Sequence, residues 1–188
     1  MEADRHMLAI GITPPRICPD EARRISAWLE SGQLDYVHIR HPEASATQIE
    51  ELVERIPSRL RHRLTLHDHY EIAHRLGIGG LHLNSRHPRC PALPDGYAPR
   101  ISRSCHRLDE LAACRHIDYA FLSPIFDSIS KSGYSSAFPP SSHPAMAQAI
   151  ASAPCRVVAL GGVTPEAFEL LRSLGFAGGA MLGYLWES

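Results

Sequence analysis

The feature that most constrains the fold is an alternation of short apolar runs and amphipathic segments along the whole chain. Eight runs have the pattern of strands: 7–13, 36–40, 63–68, 80–84, 100–106, 119–124, 156–162 and 178–183. Helical patterns follow most of them, at 18–32, 45–56, 69–77, 107–116, 144–153 and 164–175. This spacing suits right-handed crossovers between parallel strands.

The count of eight predicts an α/β fold, a single compact (β/α)₈ TIM barrel that occupies residues 1–188 as one domain. The chain has 188 residues, slightly fewer than the roughly 200 at the lower end of this fold. We therefore expect shortened fourth and eighth helical segments. A doubly wound open sheet is the alternative, because alternation alone does not show that the sheet closes.

Composition limits the classes of partner. The formal net charge is −1 and no basic run is present, which argues against nucleic acid and an anionic membrane and favours a small molecule. The start, MEADRHMLAIGIT, resembles neither a signal peptide nor a membrane span, so a cytoplasmic location is expected. Five scattered cysteines without a CxxC pair indicate reduced thiols. Nothing in the sequence indicates the oligomeric state.

Polar residues and glycines follow the predicted strands, where a barrel of this kind builds its active site. Any one of them is equally compatible with an ordinary surface loop. The residues are His38, Arg40, His41, His67, Asp68, Asn84, Ser85, His87, Ser104, His106, Ser128, Ser130, Lys131, Gly161, Gly162 and Gly183.

Two glycine-containing stretches indicate a phosphate site. In ALGGVTPEA, Gly161 and Gly162 end strand seven directly before a helix that Thr164 would cap. In GFAGGAMLGYLW, strand eight ends on Gly183. Glycines let a backbone approach a phosphate closely, and loops after strands seven and eight often bind phosphate in this fold.

Four stretches carry a resemblance to a known family: DYAFLSPIFDSISKSGY, SCHRLDEL, VVALGGVTPEAF and GFAGGAMLG. Together they resemble thiamine phosphate synthase and its thiazole tautomerase relatives, and are closer to the synthase. The resemblance runs from strand two to the end of the chain. It implies a transferase of thiamine biosynthesis that joins hydroxymethylpyrimidine diphosphate to thiazole phosphate and releases pyrophosphate, with Mg²⁺ as cofactor.

The resemblance implies roles for individual residues. Lys131 falls on the family lysine that meets the pyrophosphate, Ser104 on the serine that contacts the pyrimidine diphosphate, and Asp68 on the first magnesium aspartate. Arg40 falls on an arginine kept at strand two. The residues expected around the substrates, chiefly at the thiazole phosphate, are Ser128, Ser130, Gly161, Gly162, Leu182 and Gly183.

Several family positions are replaced. The pattern QxRxK after strand two is HIRHP here, so His38 stands for the glutamine and Pro42 for the lysine. His67 replaces an asparagine, and we expect His38 and His67 to contact substrate. His87 aligns with the second magnesium aspartate.

Histidines offer partial compensation for these replacements, because protonated imidazoles would supply charge and hydrogen bonds against a diphosphate. The candidates are His41, His67, His69 and His87. A histidine-rich transition-metal site is the competing interpretation, although the histidines fall on separate loops.

Three functions remain open. The synthase would act by stabilising a departing pyrophosphate, with no covalent nucleophile. A tautomerase would need a proton-shuttling histidine where this chain has Pro124, unless His106 or His67 serves as the base. A non-catalytic sensor of thiamine phosphate would tolerate the replaced positions at Pro42 and His87.

Overall fold

Within residues 6–126 and 138–186, which the structure describes, eight parallel strands form a closed barrel in chain order. The structure is a computed structural model. The strands are β1 (Leu8–Ile12), β2 (Tyr36–Ile39), β3 (Leu64–Leu66), β4 (Gly80–Leu83), β5 (Arg100–Cys105), β6 (Tyr119–Leu122), β7 (Arg156–Leu160) and β8 (Gly178–Met181). The predicted (β/α)₈ barrel is confirmed, and closure excludes the open sheet.

The helices between the strands are short. They are α1 (Glu21–Ser31), α2 (Ala46–Glu54), α3 (Ser58–Arg61), α4 (Ala73–Leu76), α5 (His143–Ala151), α6 (Phe168–Ser173) and α7 (Gly183–Trp186). Residues 84–99, between β4 and β5, contain no helix, and α7 has four residues. The shortened fourth and eighth helical segments are therefore confirmed.

Local sequence determines where the helices begin and end. Ser45 is the N-cap of α2: its hydroxyl accepts from the Gln48 amide at 3.3 Å, and the Gln48 side chain accepts from the Ser45 amide at 2.9 Å. This reciprocal capping box satisfies two backbone donors that the helix would otherwise leave unpaired. Gly32 ends α1 in the left-handed region at φ 76°, a conformation that glycine adopts without strain.

Two helix predictions were wrong in detail. The first helix begins at Glu21, three residues after the start of the predicted segment, and the Glu21 side chain accepts from the Cys18 amide at 3.1 Å. The segment predicted as a helix at 107–116 is a 3-10 helix over Leu108–Ala113. A 3-10 helix advances farther per residue than an α-helix, which suits a short connection.

The chain divides into two compact units, one formed by Gly11–Ser102 and the other by the residues on either side of it. In the first unit, Leu34, Val37 and Leu64 are completely buried. In the second, Tyr119 and Phe121 are completely buried. The assignment of residues 1–188 to one domain stays a prediction. Across the described residues, no helix is both long and apolar enough to cross a bilayer.

Candidate functional site

Three histidines point to the same face of the sheet formed by β2, β3 and β4. His38 pairs with Thr65, and Thr65 pairs with Gly80 in the parallel register. Residues in register share a face, and so do residues two apart along a strand. His38, His67 and His82 therefore face one another, with His67 two positions after Thr65 and His82 two positions after Gly80.

The three imidazoles are in contact and almost completely buried, with exposures of 0%, 5% and 1% for His38, His67 and His82. Nδ1 of His38 lies 2.9 Å from Nε2 of His67. The rings of His67 and His82 stack at 4.0 Å between centroids with an interplanar angle of 20°. One ligand nitrogen from each residue lies within 4.8 Å of the others.

Burial keeps His38 and His67 neutral. Desolvation lowers the pKa of His38 well below the ordinary histidine value, and His82 and Arg100 lower it further. Desolvation also lowers the pKa of His67, with added repulsion from its two histidine neighbours and from Arg40 and Arg86. Positive charge beside His67 therefore comes from two guanidinium groups, while the imidazoles of His38 and His67 carry none.

Asp68 follows His67 and is held by two neighbours. Its carboxylate accepts from Arg86 Nε at 3.0 Å and from Arg86 Nη2 at 2.7 Å. Nε2 of His87 lies 3.2 Å from the same carboxylate. Asn84 organises the turn that carries these two residues, because its side-chain oxygen accepts from the amides of Arg86 and His87 at 2.9 and 3.0 Å.

Other histidines after strands two and three are held by the protein itself. Nε2 of His41 lies 2.6 Å from the Glu21 carboxylate, and both side chains are buried. His69 Nε2–H donates to the carbonyl of Ala44 at 2.8 Å. Of the histidines expected to meet a diphosphate, His87 has a partly exposed side chain, at 42%.

In the other unit, the predicted glycine pair forms a left-handed turn directly after β7. Gly161 and Gly162 have φ values of 98° and 61°. A Cβ on Gly161 would lie 2.9 Å from Cα of Pro124. The start of the loop after β6 packs on this turn, since the Phe126 amide donates to the carbonyl of Gly161 at 3.1 Å. Glycine is required at Gly161 by both conformation and space.

The remaining predicted residues of this unit lie at or near strand ends. Leu182 and Gly183 directly follow β8, and both are half-buried. Ser104 is a half-buried residue of β5. His106 follows β5, and its Nδ1–H donates to the carbonyl of Ser123 at 3.2 Å. The predicted residues Ser128, Ser130 and Lys131 lie outside the described residues.

Two residues of the site were missed by sequence reasoning. His82 occupies the third position of GLHL, as His38 does in YVHI, and a polar residue at the same position of two buried strands was the available signal. Arg86 lies between Ser85 and His87, which are both predicted site residues. An arginine beside a loop that carries a carboxylate was the signal there.

Asp68 can serve a magnesium ion only as one ligand among others. Mg²⁺ requires near-octahedral oxygen ligands, whereas Asp68 provides a single carboxylate that already pairs with a guanidinium. Among the described residues, the three histidines are the one group of three or more potential ligands. The donor set fits magnesium if a diphosphate brings most of the oxygens.

The protein is a closed parallel barrel, with a glycine turn after β7 and polar residues after the strands. A family model described as thiamine monophosphate synthase matches residues 9–185. The chain belongs to this family, which confirms the resemblance found in the sequence. No curated protein sequence gives a significant match.

Solved structures agree with the family assignment. A thiamine phosphate pyrophosphorylase from Bacteroides thetaiotaomicron is 32% identical, with 96% of this chain and 85% of that chain covered and a TM-score of 0.77. One from Pyrococcus furiosus is 18% identical, with 94% and 86% covered and a TM-score of 0.72. A (S)-3-O-geranylgeranylglyceryl phosphate synthase from Thermoplasma acidophilum, at 12% identity and a TM-score of 0.65 over 98% and 88% of the chains, shares the fold.

Proposed function

We propose that this protein is a transferase that joins hydroxymethylpyrimidine diphosphate to thiazole phosphate and releases pyrophosphate. The family match over residues 9–185 carries the proposal. The 32% identical pyrophosphorylase structure supports it. The family is associated with small pyrimidine and thiazole phosphates, and we assign the same substrates here. We also assign the reaction to the cytoplasm.

The glycine turn after β7 supports a role in binding the thiazole phosphate. Gly161 and Gly162 have no side chains, and their positive φ values suit glycine, so a phosphate could approach the backbone of this turn closely. Leu182 and Gly183 would add backbone contacts, and Ser128 and Ser130 would add hydroxyls. The phosphate would hold the thiazole so that its ring nitrogen faces the pyrimidine.

Positive charge would stabilise the diphosphate leaving group. Lys131 and Arg40 are the proposed catalytic cations, and Ser104 would donate a hydrogen bond to the diphosphate. Negative charge grows on the pyrophosphate as its bond to the pyrimidine methylene breaks, so cations placed in advance lower the barrier. The thiazole nitrogen then forms the new C–N bond, and no proton transfer or covalent intermediate with the protein is needed.

The neutral pair of His38 and His67 would adjoin the pyrimidine, with His67 (5% exposed) making the contact and the completely buried His38 holding its ring. Their lowered pKa values leave each ring with one N–H donor and one acceptor, as the amide side chains they replace in the family pattern also provide. This replacement keeps hydrogen bonding without adding charge beside the developing pyrimidine-methyl cation. A protonated imidazole there would oppose the reaction.

Mg²⁺ is the proposed cofactor, and Asp68 would provide one carboxylate ligand. When bound, the ion would neutralise charge on the diphosphate. Arg86 would have to move from Asp68 toward the diphosphate, which its 45% exposed side chain permits. His87 would remain beside the carboxylate as a hydrogen-bond donor.

The reaction is tested with purified protein, both phosphorylated substrates and Mg²⁺. We expect thiamine phosphate and pyrophosphate in equal amounts. Absence of both products across a range of Mg²⁺ and Mn²⁺ concentrations would contradict the proposal. Calorimetric binding of thiamine phosphate without turnover would instead support the sensor function.

A specific contact favours the tautomerase as the second candidate. His106 bonds to Ser123, the residue directly before Pro124, where tautomerase relatives carry their histidine. His106 could therefore place an imidazole beside the position that the proline occupies here. Supplying the non-aromatic thiazole tautomer alone distinguishes the two functions, since the synthase has no second substrate under that condition.

A further inference from the structure

We propose that His38, His67 and His82 form a site for a late first-row divalent metal, Zn²⁺ being the expected ion. The three residues come from consecutive strands, and their ligand nitrogens lie within 4.8 Å of one another. Three imidazoles with a fourth position for water or an anionic oxygen are a common donor set for zinc. His38 and His67 are also the proposed pyrimidine contacts, so an ion bound here would compete with the transferase reaction. Zinc uptake is measured without substrates and is decided apart from that activity.

A metal takes a lone pair from each imidazole and competes with protons for the same nitrogen. Nδ1 of His38 and Nε2 of His67 share one proton in their 2.9 Å hydrogen bond. One of these two nitrogens must therefore lose its proton, which the other nitrogen of that ring takes up.

Ser102 orients His82 in the manner of a residue that supports a metal ligand. Its hydroxyl lies 2.9 Å from His82 Nδ1 and 3.4 Å from the carbonyl of Leu81. The contact with Nδ1 is the shorter of the two, and in the tautomer with Nδ1–H the hydroxyl accepts from His82. In that tautomer, Nε2 is the nitrogen that would bind the metal. Metal-ligating histidines generally donate their other ring N–H to an oxygen in this way.

The backbone of His67 is also anchored, because the side chain of Asn84 donates to its carbonyl at 2.8 Å. Residues 67 and 84 follow neighbouring strands, so this bond holds the end of β3 against the end of β4. A ligand fixed in this way loses little conformational entropy when it binds an ion.

Binding requires a small and definable rearrangement. The 2.9 Å hydrogen bond between His38 and His67 must be replaced by two bonds to the metal, with the ring protons on the other nitrogens. For zinc–nitrogen bonds of about 2.0–2.1 Å in a tetrahedron, these nitrogens separate to about 3.3 Å. The stacked rings of His67 and His82 must also rotate so that both planes contain the ion.

The charges nearby predict which ions and anions bind. Arg40 and Arg86, which lower the pKa of His67, also repel a metal cation, so an anionic fourth ligand is expected to tighten binding. Nitrogen donors favour Zn²⁺, Co²⁺, Ni²⁺ and Cu²⁺ over Mg²⁺. The site therefore differs in chemistry from the carboxylate of Asp68.

The test uses full-length protein made without a polyhistidine tag and freed of metal by a chelator that is then removed. Calorimetric titration with Zn²⁺ should show one tight equivalent, tightened further by inorganic phosphate. Co²⁺ should give visible d–d bands without the thiolate charge-transfer band that cysteine ligation produces. X-ray absorption of the zinc form should show imidazole nitrogen and oxygen and no sulphur.

His82→Asn is the decisive variant, because its amide can keep the bond to Ser102 while Nε2 is removed. We expect zinc affinity to fall at least about 100-fold, and Ser102→Ala to weaken it about 10-fold to 100-fold. His116→Asn is the matched control: His116 is exposed and has φ 62°, which asparagine tolerates. It should bind zinc as the wild type does.

Three results would overturn the proposal: no stoichiometric zinc uptake by the wild type, sulphur ligation, or a folded His82→Asn that binds zinc as tightly as the wild type. The first would leave the cluster as a neutral hydrogen-bonded core. If circular dichroism shows that His82→Asn is unfolded, Ser102→Ala decides, since it keeps all three imidazoles. Unchanged affinity in a folded Ser102→Ala would then count against the site.

Discussion

Asp68 and Arg86 form a two-point ion pair in which Nε and Nη2 of the guanidinium lie 3.0 and 2.7 Å from the two carboxylate oxygens. The arginine therefore occupies the carboxylate that the family resemblance assigns to magnesium. Two cations compete for one anion, and the diphosphate offers a second anion to one of them. Titrations with and without pyrophosphate therefore measure whether Mg²⁺ binds the protein before or together with the diphosphate.

We expect Mg²⁺ alone to give little heat with the wild type and clear heat once pyrophosphate is present. Asp68→Asn should abolish that gain, because the amide oxygen carries no full charge. Arg86→Ala should act in the opposite direction and strengthen magnesium binding without pyrophosphate. Arg75→Ala, which breaks an exposed pair with Glu50, is the control and should change neither titration. Tight Mg²⁺ binding by the wild type alone would contradict this expectation.

Gly162→Val should raise KM for thiazole phosphate with less effect on the diphosphate substrate. A β-branched side chain would fill space that the phosphate needs beside the backbone amides. Valine is also strained at φ 61°, so a control for strain is required. Gly96→Val provides it, since Gly96 has φ 78° and a Cβ there would have nothing within 4 Å. Equal effects of the two variants on KM would remove the glycine turn from the phosphate site.

Lys131→Ala should lower kcat by about 100-fold and change substrate affinity less. This pattern is expected when a cation acts mainly on charge that develops in the transition state. Steady-state kinetics with each substrate varied in turn measures both parameters. A raised KM for thiazole phosphate with kcat unchanged would mean that Lys131 contacts the thiazole phosphate and not the pyrophosphate.

Lys131 is the only lysine in the chain, which permits a direct chemical test. Pyrophosphate with Mg²⁺ should protect its amine from reductive methylation, because an ammonium bound to phosphate oxygens seldom presents its free amine. The N-terminal amine of the same molecule is the internal control and should react at an unchanged rate. Equal protection of both amines, or of neither, would argue against a contact with pyrophosphate.

The pH dependence of His38 and His67 should distinguish them from exposed histidines. Their folded pKa values lie below the ordinary value near 6.5, so the unfolded chain takes up protons first as the pH falls. The contribution of each group to the free energy of unfolding is fully present above about pH 6.5. It declines as the pH falls below that value, by up to about 1.4 kcal/mol per pH unit. In metal-free protein, the NMR ring signals of both should stay constant from about pH 7.5 to 6. Normal titration of His38 would refute its burial as a neutral group.

Much of the fold was determined by the sequence itself. Strand and helix periodicities, the Ser45 cap and the Gly32 stop depend on neighbours a few residues away, so a local pattern was enough to predict them. The eight-strand count predicted the barrel, and Gly161 and Gly162 indicated the turn because glycine suits consecutive left-handed conformations best. The start of α1 was wrong by three residues, although the bond from the Cys18 amide to the Glu21 side chain is of the kind that caps a helix start.

The grouping of histidines was decided by the tertiary structure. A search for closely spaced ligands along the chain could not find His38, His67 and His82, because register between parallel strands brings together residues that are 29 and 15 positions apart. The pairing of Asp68 with Arg86 joins two separate loops in the same way. Local sequence sets which conformations a segment prefers, whereas the neighbours of a side chain across a sheet depend on strand pairing, and so do its burial and its charge.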